Sequence, residues 1–417
     1  MAERMRVLHV MRPSEGGMRT HLTSLVERLD RDRFEVVVAS PEDARIVECV
    51  ERCCGKHELV AIPGDLAPHR DVAQALALAS LIRRVQPEIC HLHGFKAAAL
   101  GRAAAHFLER SSGLSRWTGL ARTSGREGRP AIVYTVHNSV LARTRGTPKG
   151  HLCSYLERAL ARVTDRVIAV SRALRDEYSS IPGLGPGKVR HVPNGVALER
   201  FAGDRDGWSR TPERVAQARS ILGYHPDTVL VGTVVRLIPD KGVGVLLHAL
   251  AHLRRWGLRP QVLVAGDGPA RGDLEALAET LEVSGQVQFL GFVEDIVPFY
   301  RAIDVFVLPS LSEGMSLSLI EAMAAGVPVV ATRTPGIEEV IAPGMGWLAA
   351  PGDHLALAAC LRDLLLRPRE AARMAERART QAHRRFSVEG MVRATQEVYG
   401  EALSEREKAR AQVTWGG

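Results

Sequence analysis

Two pairs of charged residues carry the chemistry most easily read from this chain. Arg236 and Lys241 lie in RLIPDKG directly after an expected strand, and Glu313 and Glu321 lie in SEGMSLSLIE. Cations at the carboxyl end of a parallel strand can neutralise the charge that develops on a departing diphosphate. Carboxylates on either side of a phosphate can hold sugar and ribose hydroxyls. Ser316 opens an expected helix over 316–325, and the backbone of Met315, Ser316 and Leu317 can point donors at the same phosphate. Taken alone, either pair would more often be solvated surface charge, so the neighbouring motifs decide. Gly16 and Gly17 follow the first expected strand and precede Leu22, Leu25 and Leu29 at helical spacing. Such a turn lets backbone approach a ligand at a helix N-terminus, but it lacks the GxGxxG spacing of a nicotinamide dehydrogenase. His137, in TVHN, ends another expected strand, where a histidine is more often structural than catalytic. His91 and His93, in HLHGF, read as structural or wall residues.

The elements that must position these groups alternate in type. β-Branched runs at 6–11, 34–39, 89–92, 132–136 and 167–170 are separated by helical segments, and a second series follows at 229–235, 261–265, 287–290, 305–308 and 327–331. This pattern predicts two α/β domains with parallel sheets, joined near 197–210 where glycines, charges and a proline break the hydrophobic pattern. A length of 417 residues fits that division, and 46% hydrophobic with 24% charged residues fits a folded chain. The tail from Ser404 onward is polar.

No window holds the roughly 18 continuous apolar residues of a membrane span, and the N-terminus lacks a signal-peptide pattern, so the expected location is cytoplasmic. Six cysteines are too few for a disulfide scaffold, and Cys49, Cys53, Cys54 and His57 lack the paired spacing of a structural zinc site. Asp30-Arg31-Asp32 and Asp204-Arg205-Asp206 match DxD literally but read as solvated charges in connecting segments. No metal is expected.

The net charge of +8 is uneven. Residues 1–200 hold 31 Lys and Arg against 21 Asp and Glu, whereas the remainder holds 24 against 26. Within 110–150, eight cations (Arg110, Arg116, Arg122, Arg126, Arg129, Arg143, Arg145 and Lys149) accompany only Glu127. Such a patch suits a phosphorylated acceptor or an anionic membrane, or it is a solvated arginine-rich loop. The segment 111–130 reads as a long loop in which Leu114, Trp117 and Leu120 could form the stripe of a short interfacial helix. Aromatic residues make up 5% and no nucleic-acid motif accompanies the charge, so no nucleic-acid partner is expected.

With these motifs in order (GG at 16–17, TVHN at 135–138, VSRAL at 170–174, VPNGV at 192–196, RLIPDKG at 236–242, AGDGP at 265–269, LGFVED at 290–295 and the Glu313 to Glu321 segment), the chain resembles the family-four retaining glycosyltransferases, also called glycosyl transferases group 1, over nearly its whole length. The resemblance implies a GT-B fold: two Rossmann-like domains facing across a cleft. The acceptor-side domain would span 1–200 and be completed by C-terminal helices around 385–405. The nucleotide-sugar domain would span 201–384, with a polar tail at 404–417. It further implies metal-independent transfer, with retention, from a nucleoside-diphosphate sugar, a UDP-sugar favoured, to a lipid-linked, polysaccharide or small acceptor, with no cofactor.

By the same resemblance Arg236 and Lys241 contact the diphosphate, Glu321 the ribose and Glu313 the donor sugar. Phe292 and Val293 receive the base, Met315, Ser316 and Leu317 serve phosphate and sugar through their backbone, His137 lies near the reacting centre, and Gly16 and Gly17 face the donor from the other domain. A peripheral position on the inner membrane face follows if residues 110–150 meet anionic lipid. A GT-B epimerase or phosphorylase, or a noncatalytic nucleotide-sugar or polyanion-binding module, would share much of this pattern.

Overall fold

Strands that are apolar without alternation must be covered on both faces, which is the situation of a parallel sheet flanked by helices. A computed structural model of the protein describes residues 4–14, 16–53, 55–60, 62, 68–118, 129–201 and 210–414. The chain divides into two units, Met1–Pro193 with Glu389–Gly417, and Asn194–Val388.

The first unit holds β1 (Met5–Met11), β2 (Phe34–Ser40), β3 (Lys56–Leu59), β4 (Ile89–His93), β5 (Ala131–Val136), β6 (Arg166–Ala169) and β7 (Val189–His191). They form a parallel sheet in the order β3-β2-β1-β4-β5-β6-β7. Every residue of β4 and β5 is buried, as their sequences require. Its helices are anchored by internal charge. Arg102 pairs with Glu157 at 2.7 Å with both side chains fully buried, and its guanidinium lies 4.9 Å from the Tyr134 ring centroid. Such a pair costs desolvation to form, yet losing one partner strands a charge in the core.

The second unit holds β8 (Leu230–Val234), β9 (Gln261–Ala265), β10 (Val287–Gly291), β11 (Val305–Leu308), β12 (Val329–Thr332) and β13 (Trp347–Ala349), all parallel, in the order β10-β9-β8-β11-β12-β13. The helix Val243–Arg255 buries Val243, Leu246, Leu247, Leu250 and Leu253 along one face. Each large apolar side chain so buried contributes about 1.5–3 kcal/mol of transfer free energy. In both sheets the order reverses once, between β1 and β4 and between β8 and β11. Loops leaving neighbouring strands diverge there and leave a crevice at the carboxyl edge.

Several expectations change. The second unit begins at Asn194, beside the expected junction near 197–210: Asn194 donates through Nδ2 to the Met315 carbonyl at 3.1 Å, and Val196 bridges Ser387. Residues 111–118 are not loop: they extend the helix Phe95–Thr118. Residues 119–128, with Leu120, Arg122, Arg126 and Glu127, lie outside the described residues, as does Asp204-Arg205-Asp206. Arg129 does not belong to an exposed basic patch. Its side chain is 3% exposed and donates to both carboxylate oxygens of Asp165, at 2.6 and 3.1 Å. Among the described residues no helix is long and apolar enough to cross a membrane.

Candidate functional site

The charged residues of the second unit gather where β8 and β11 end. After β8 the chain makes two tight turns, with Ile238 N donating to Arg236 O at 2.9 Å and Lys241 N to Ile238 O at 3.0 Å. Gly242 then turns into the helix Val243–Arg255 with φ +65°, and a Cβ there would stand 2.0 Å from the Pro309 carbonyl oxygen. That contact brings the loop after β8 against the loop after β11. Leu311 N donates to Asp240 O at 2.8 Å across the same seam.

The seam sets the side-chain chemistry. Lys241 Nζ donates to Glu313 Oε1 at 2.6 Å, and Ser310 Oγ donates to the same oxygen at 2.8 Å. The Glu313 side chain is 6% exposed and that of Lys241 20%, so water screens the pair weakly. Lys241 and Glu313, expected to meet different parts of a ligand, thus hold each other. Arg236 is half-buried at the head of the same loop.

Ser316 caps the helix Leu317–Ala324 by accepting from Leu319 N at 3.3 Å, as a helix-opening serine does. Met315, Ser316 and Leu317 are buried. Asn194 fixes this loop through the Met315 carbonyl. Glu321, on the helix, lies 2.9 Å from the hydroxyl of Tyr300, which also donates to Ser318 O at 3.0 Å. Burial raises the Glu321 carboxyl above its ordinary value of 4.5, against the opposing pull of the Tyr300 hydrogen bond and Arg200. Phe292, half exposed, and Val293 follow β10 at the same carboxyl edge.

Sequence reasoning missed Tyr300 and the structural part of Asn194. VPNGV flagged Asn194 without a role, and nothing in VPFYRA separates Tyr300 from a core aromatic.

In the first unit the carboxyl edge is lined with imidazoles. His9 on β1, His91 and His93 on β4, His21 on the helix Gly17–Arg28 and His137 after β5 form one cluster, with ring centroids 4.1 Å apart for His91 and His93 and 4.7 Å for His21 and His137. His91 is structural, bonded to Thr135 Oγ1 and the Tyr399 hydroxyl at 2.7 Å each. Burial lowers all four values that shift: His9 falls to about 3, and His91, His93 and His137 fall well below 6.5, with neighbouring histidines adding to the effect. His9, His91, His93 and His137 are therefore neutral at physiological pH. Gly16 opens the helix Gly17–Arg28 with φ +87° and no atom within 4 Å of where its Cβ would be, so the turn demands glycine for its backbone angle rather than for space.

Comparisons with known proteins agree with this architecture. The model of glycosyl transferases group 1 matches residues 216–381, and that of glycosyltransferase family 4 matches residues 15–200. The chain is 24% identical over 337 residues, 80% of each chain, to the UDP-Gal:alpha-D-GlcNAc-diphosphoundecaprenol alpha-1,3-galactosyltransferase of Escherichia coli. It is 29% identical to the D-inositol 3-phosphate glycosyltransferase of Streptomyces scabiei, over 96% of this chain and 90% of that one. The crystal structure of Anabaena Alr3699/HepE with UDP and glucose superposes with a TM-score of 0.75 at 21% identity, covering 95% of this chain and 100% of the other. With two matched models covering both units, and both sheets built as the fold requires, the chain belongs to the group 1, family-four retaining glycosyltransferases of the GT-B fold.

Proposed function

We propose that this chain moves a hexose from a UDP-sugar to a hydroxyl of a lipid-linked, polysaccharide or small phosphorylated acceptor. The observation that carries the reading is the Lys241–Glu313 pair at the β8/β11 switch point, beside the capped N-terminus of the helix Leu317–Ala324. In this reading Lys241 and Arg236 take the diphosphate, joined by backbone groups of Met315, Ser316 and Leu317. Glu313, relieved of Lys241, turns to the sugar hydroxyls. Glu321, oriented by Tyr300, takes the ribose, and Phe292 with Val293 the base. His137 keeps the reacting-centre role that the resemblance implies, and Gly16 and Gly17 belong to the acceptor-side unit.

As the bond from the anomeric carbon to phosphate oxygen breaks, negative charge accumulates on the leaving diphosphate. Once the donor is bound, the cations and the helix terminus offset it with no further reorganisation. The acceptor hydroxyl attacks from the same face and passes its proton to the departing phosphate, so no protein nucleophile is needed.

UDP as the donor nucleotide is supported by the uridine nucleotides named for the E. coli relative and the Anabaena structure. Calorimetric titration with UDP, GDP and ADP tests it: UDP should bind most tightly, and Glu321→Ala should weaken all three together. Preference for GDP would overturn the donor assignment. A lipid-linked acceptor is supported by the diphosphoundecaprenol named for the E. coli relative and by exposed Arg110, Arg145 and Lys149. Sedimentation with anionic vesicles should then recover the protein, and with neutral vesicles should not.

A further inference from the structure

The Tyr300 hydroxyl has one proton and two acceptors within reach. Its oxygen lies 3.0 Å from Ser318 O and 2.9 Å from Glu321 Oε2. A backbone carbonyl can only accept, so the Tyr300 proton satisfies Ser318 O and the second contact needs a proton of its own. An ionised Glu321 would leave one of the two contacts as a pair of bare oxygens facing each other. We propose that the empty site holds Glu321 as the neutral acid, donating from Oε2 to the Tyr300 oxygen, and that the donor's ribose expels this proton on binding. The inference rests on the reading of Glu321 as the ribose ligand and adds to it a proton that donor capture must release.

The surroundings favour the acid. Tyr300 is fully buried, and burial pushes its phenol well above 10, so its own proton stays on the ring oxygen. Glu321 has no ion pair among the described residues. The cation that acts on it is Arg200, on the turn Leu198–Phe201, but Arg200 is exposed and donates to Asp295 Oδ1 at 3.0 Å. Glu199 on the same turn is exposed as well. From the helix Pro368–Arg385, His383 meets Ala324 O and Arg379 lies against Gly326, both at the far end of the helix that carries Glu321. Arg301, beside Tyr300, is influenced by Arg214 and Asp295. β11 and β12 bring apolar residues and Thr332. Burial, which disfavours the charged carboxylate, therefore meets little opposition.

Both ribose hydroxyls are donors, and a carboxylate accepts them in shorter bonds, about twice as strong as those a neutral acid can make. On binding, the O–H bond at Oε2 breaks, its electron pair stays on the carboxylate and the proton leaves to solvent. Tyr300 can then turn its own proton from Ser318 O to Glu321. Tyr300 is thus a positioning residue that also sets how donor capture depends on pH. The empty protein holds a proton that the complex lacks, so affinity rises with pH until the empty site has lost that proton, and then levels off.

Infrared difference spectroscopy on the full chain reads the proton directly. In the unliganded wild type a protonated-carboxyl band, absent from Glu321→Gln, should persist at a pH where the ordinary value of 4.5 would leave a glutamate ionised. UDP-glucose, whose phosphates carry no proton that titrates there, should abolish the band. Calorimetry at the same pH, in two buffers of different ionisation enthalpy, should count about one proton released. Wild-type affinity should rise by up to about tenfold per pH unit, whereas Glu321→Gln, which mimics the acid, should bind weakly and without that slope. Tyr300→Phe removes the acceptor of the acid and should move the loss of the band to lower pH. A band missing from the unliganded wild type, a band that survives UDP-glucose binding, or one that Tyr300→Phe moves to higher pH would overturn the proposal. Equal affinity of Glu321→Gln and the wild type would instead remove Glu321 from the ribose site, and proton expulsion with it.

Discussion

In the first unit the ends of β4 and β5 carry His91, His93 and His137, which burial keeps uncharged, whereas in the second the loops leaving β8 and β11 meet through an ammonium and a carboxylate. Both sheets are parallel and both reverse strand order once. The shared plan therefore fixes where a ligand can be held, while the side chains at the strand ends decide which charge is welcome there. The first unit keeps its charges elsewhere, inside the helical layer and at the root of β5, where Arg102–Glu157 and Arg129–Asp165 lock helices and strands. The second unit places its buried-side cation where an anion could exchange with its partner.

Four substitutions break or sharpen this contrast. The largest effect is expected from Glu157→Ala, which strands Arg102 in the core: about 3–5 kcal/mol of stability should be lost, read as a lower melting temperature by calorimetry. A change confined to a few tenths of a kcal/mol would mean that the first unit's internal charges are dispensable. Next is Lys241→Ala. Turnover with a UDP-sugar should fall about 100- to 1,000-fold while circular dichroism stays that of the wild type, since in the proposed mechanism the lost group acts on the leaving diphosphate. Near-normal turnover would remove the distinction between the two strand edges.

Ser316→Ala should cost about 1 kcal/mol through the lost cap, measured by urea unfolding, together with weaker nucleotide binding. Glu321→Gln has the smallest expected effect on stability, and its sign is diagnostic. The folded carboxyl holds its proton more tightly than the unfolded one, so its contribution is fully present below about pH 4.5 and is lost as pH rises through the raised folded value. At pH 7 the buried carboxyl is therefore a cost that glutamine removes. The variant should melt no lower than the wild type at pH 7, converge with it near pH 4, and bind UDP less well. A variant that is less stable at pH 7 would contradict the burial argument.

Much of the fold was legible because a buried parallel strand needs an unbroken apolar run. The long central strands β1, β2, β4, β5, β8, β9 and β11 are all visible that way. The edge strands β3 and β13 were not: KHEL is largely polar with none of its residues buried, and WLA is three residues long. The short β7, VRH, escaped for the same reason. Among the site residues, the spacing of Arg236, Lys241, Glu313, Ser316 and Glu321 was legible, and so was the Ser316 cap. Partnership was not, because it depends on loops from strands far apart in sequence meeting in space. Lys241 and Glu313 are 72 positions apart, and Tyr300 reaches Glu321 from another helix. Arg129 misled for a related reason: composition sees a cation, but only the fold supplies Asp165.

Val196 N donates to Phe386 O at 2.9 Å, and Val388 N donates to Val196 O at 3.0 Å, so the two ends of the second unit are stitched to each other. The second unit is in effect a cassette whose two ends meet at one spot. Segment 194–388 should fold when expressed alone, and a different cassette with equally adjacent ends could be spliced between residues 193 and 389 without rebuilding the rest of the chain.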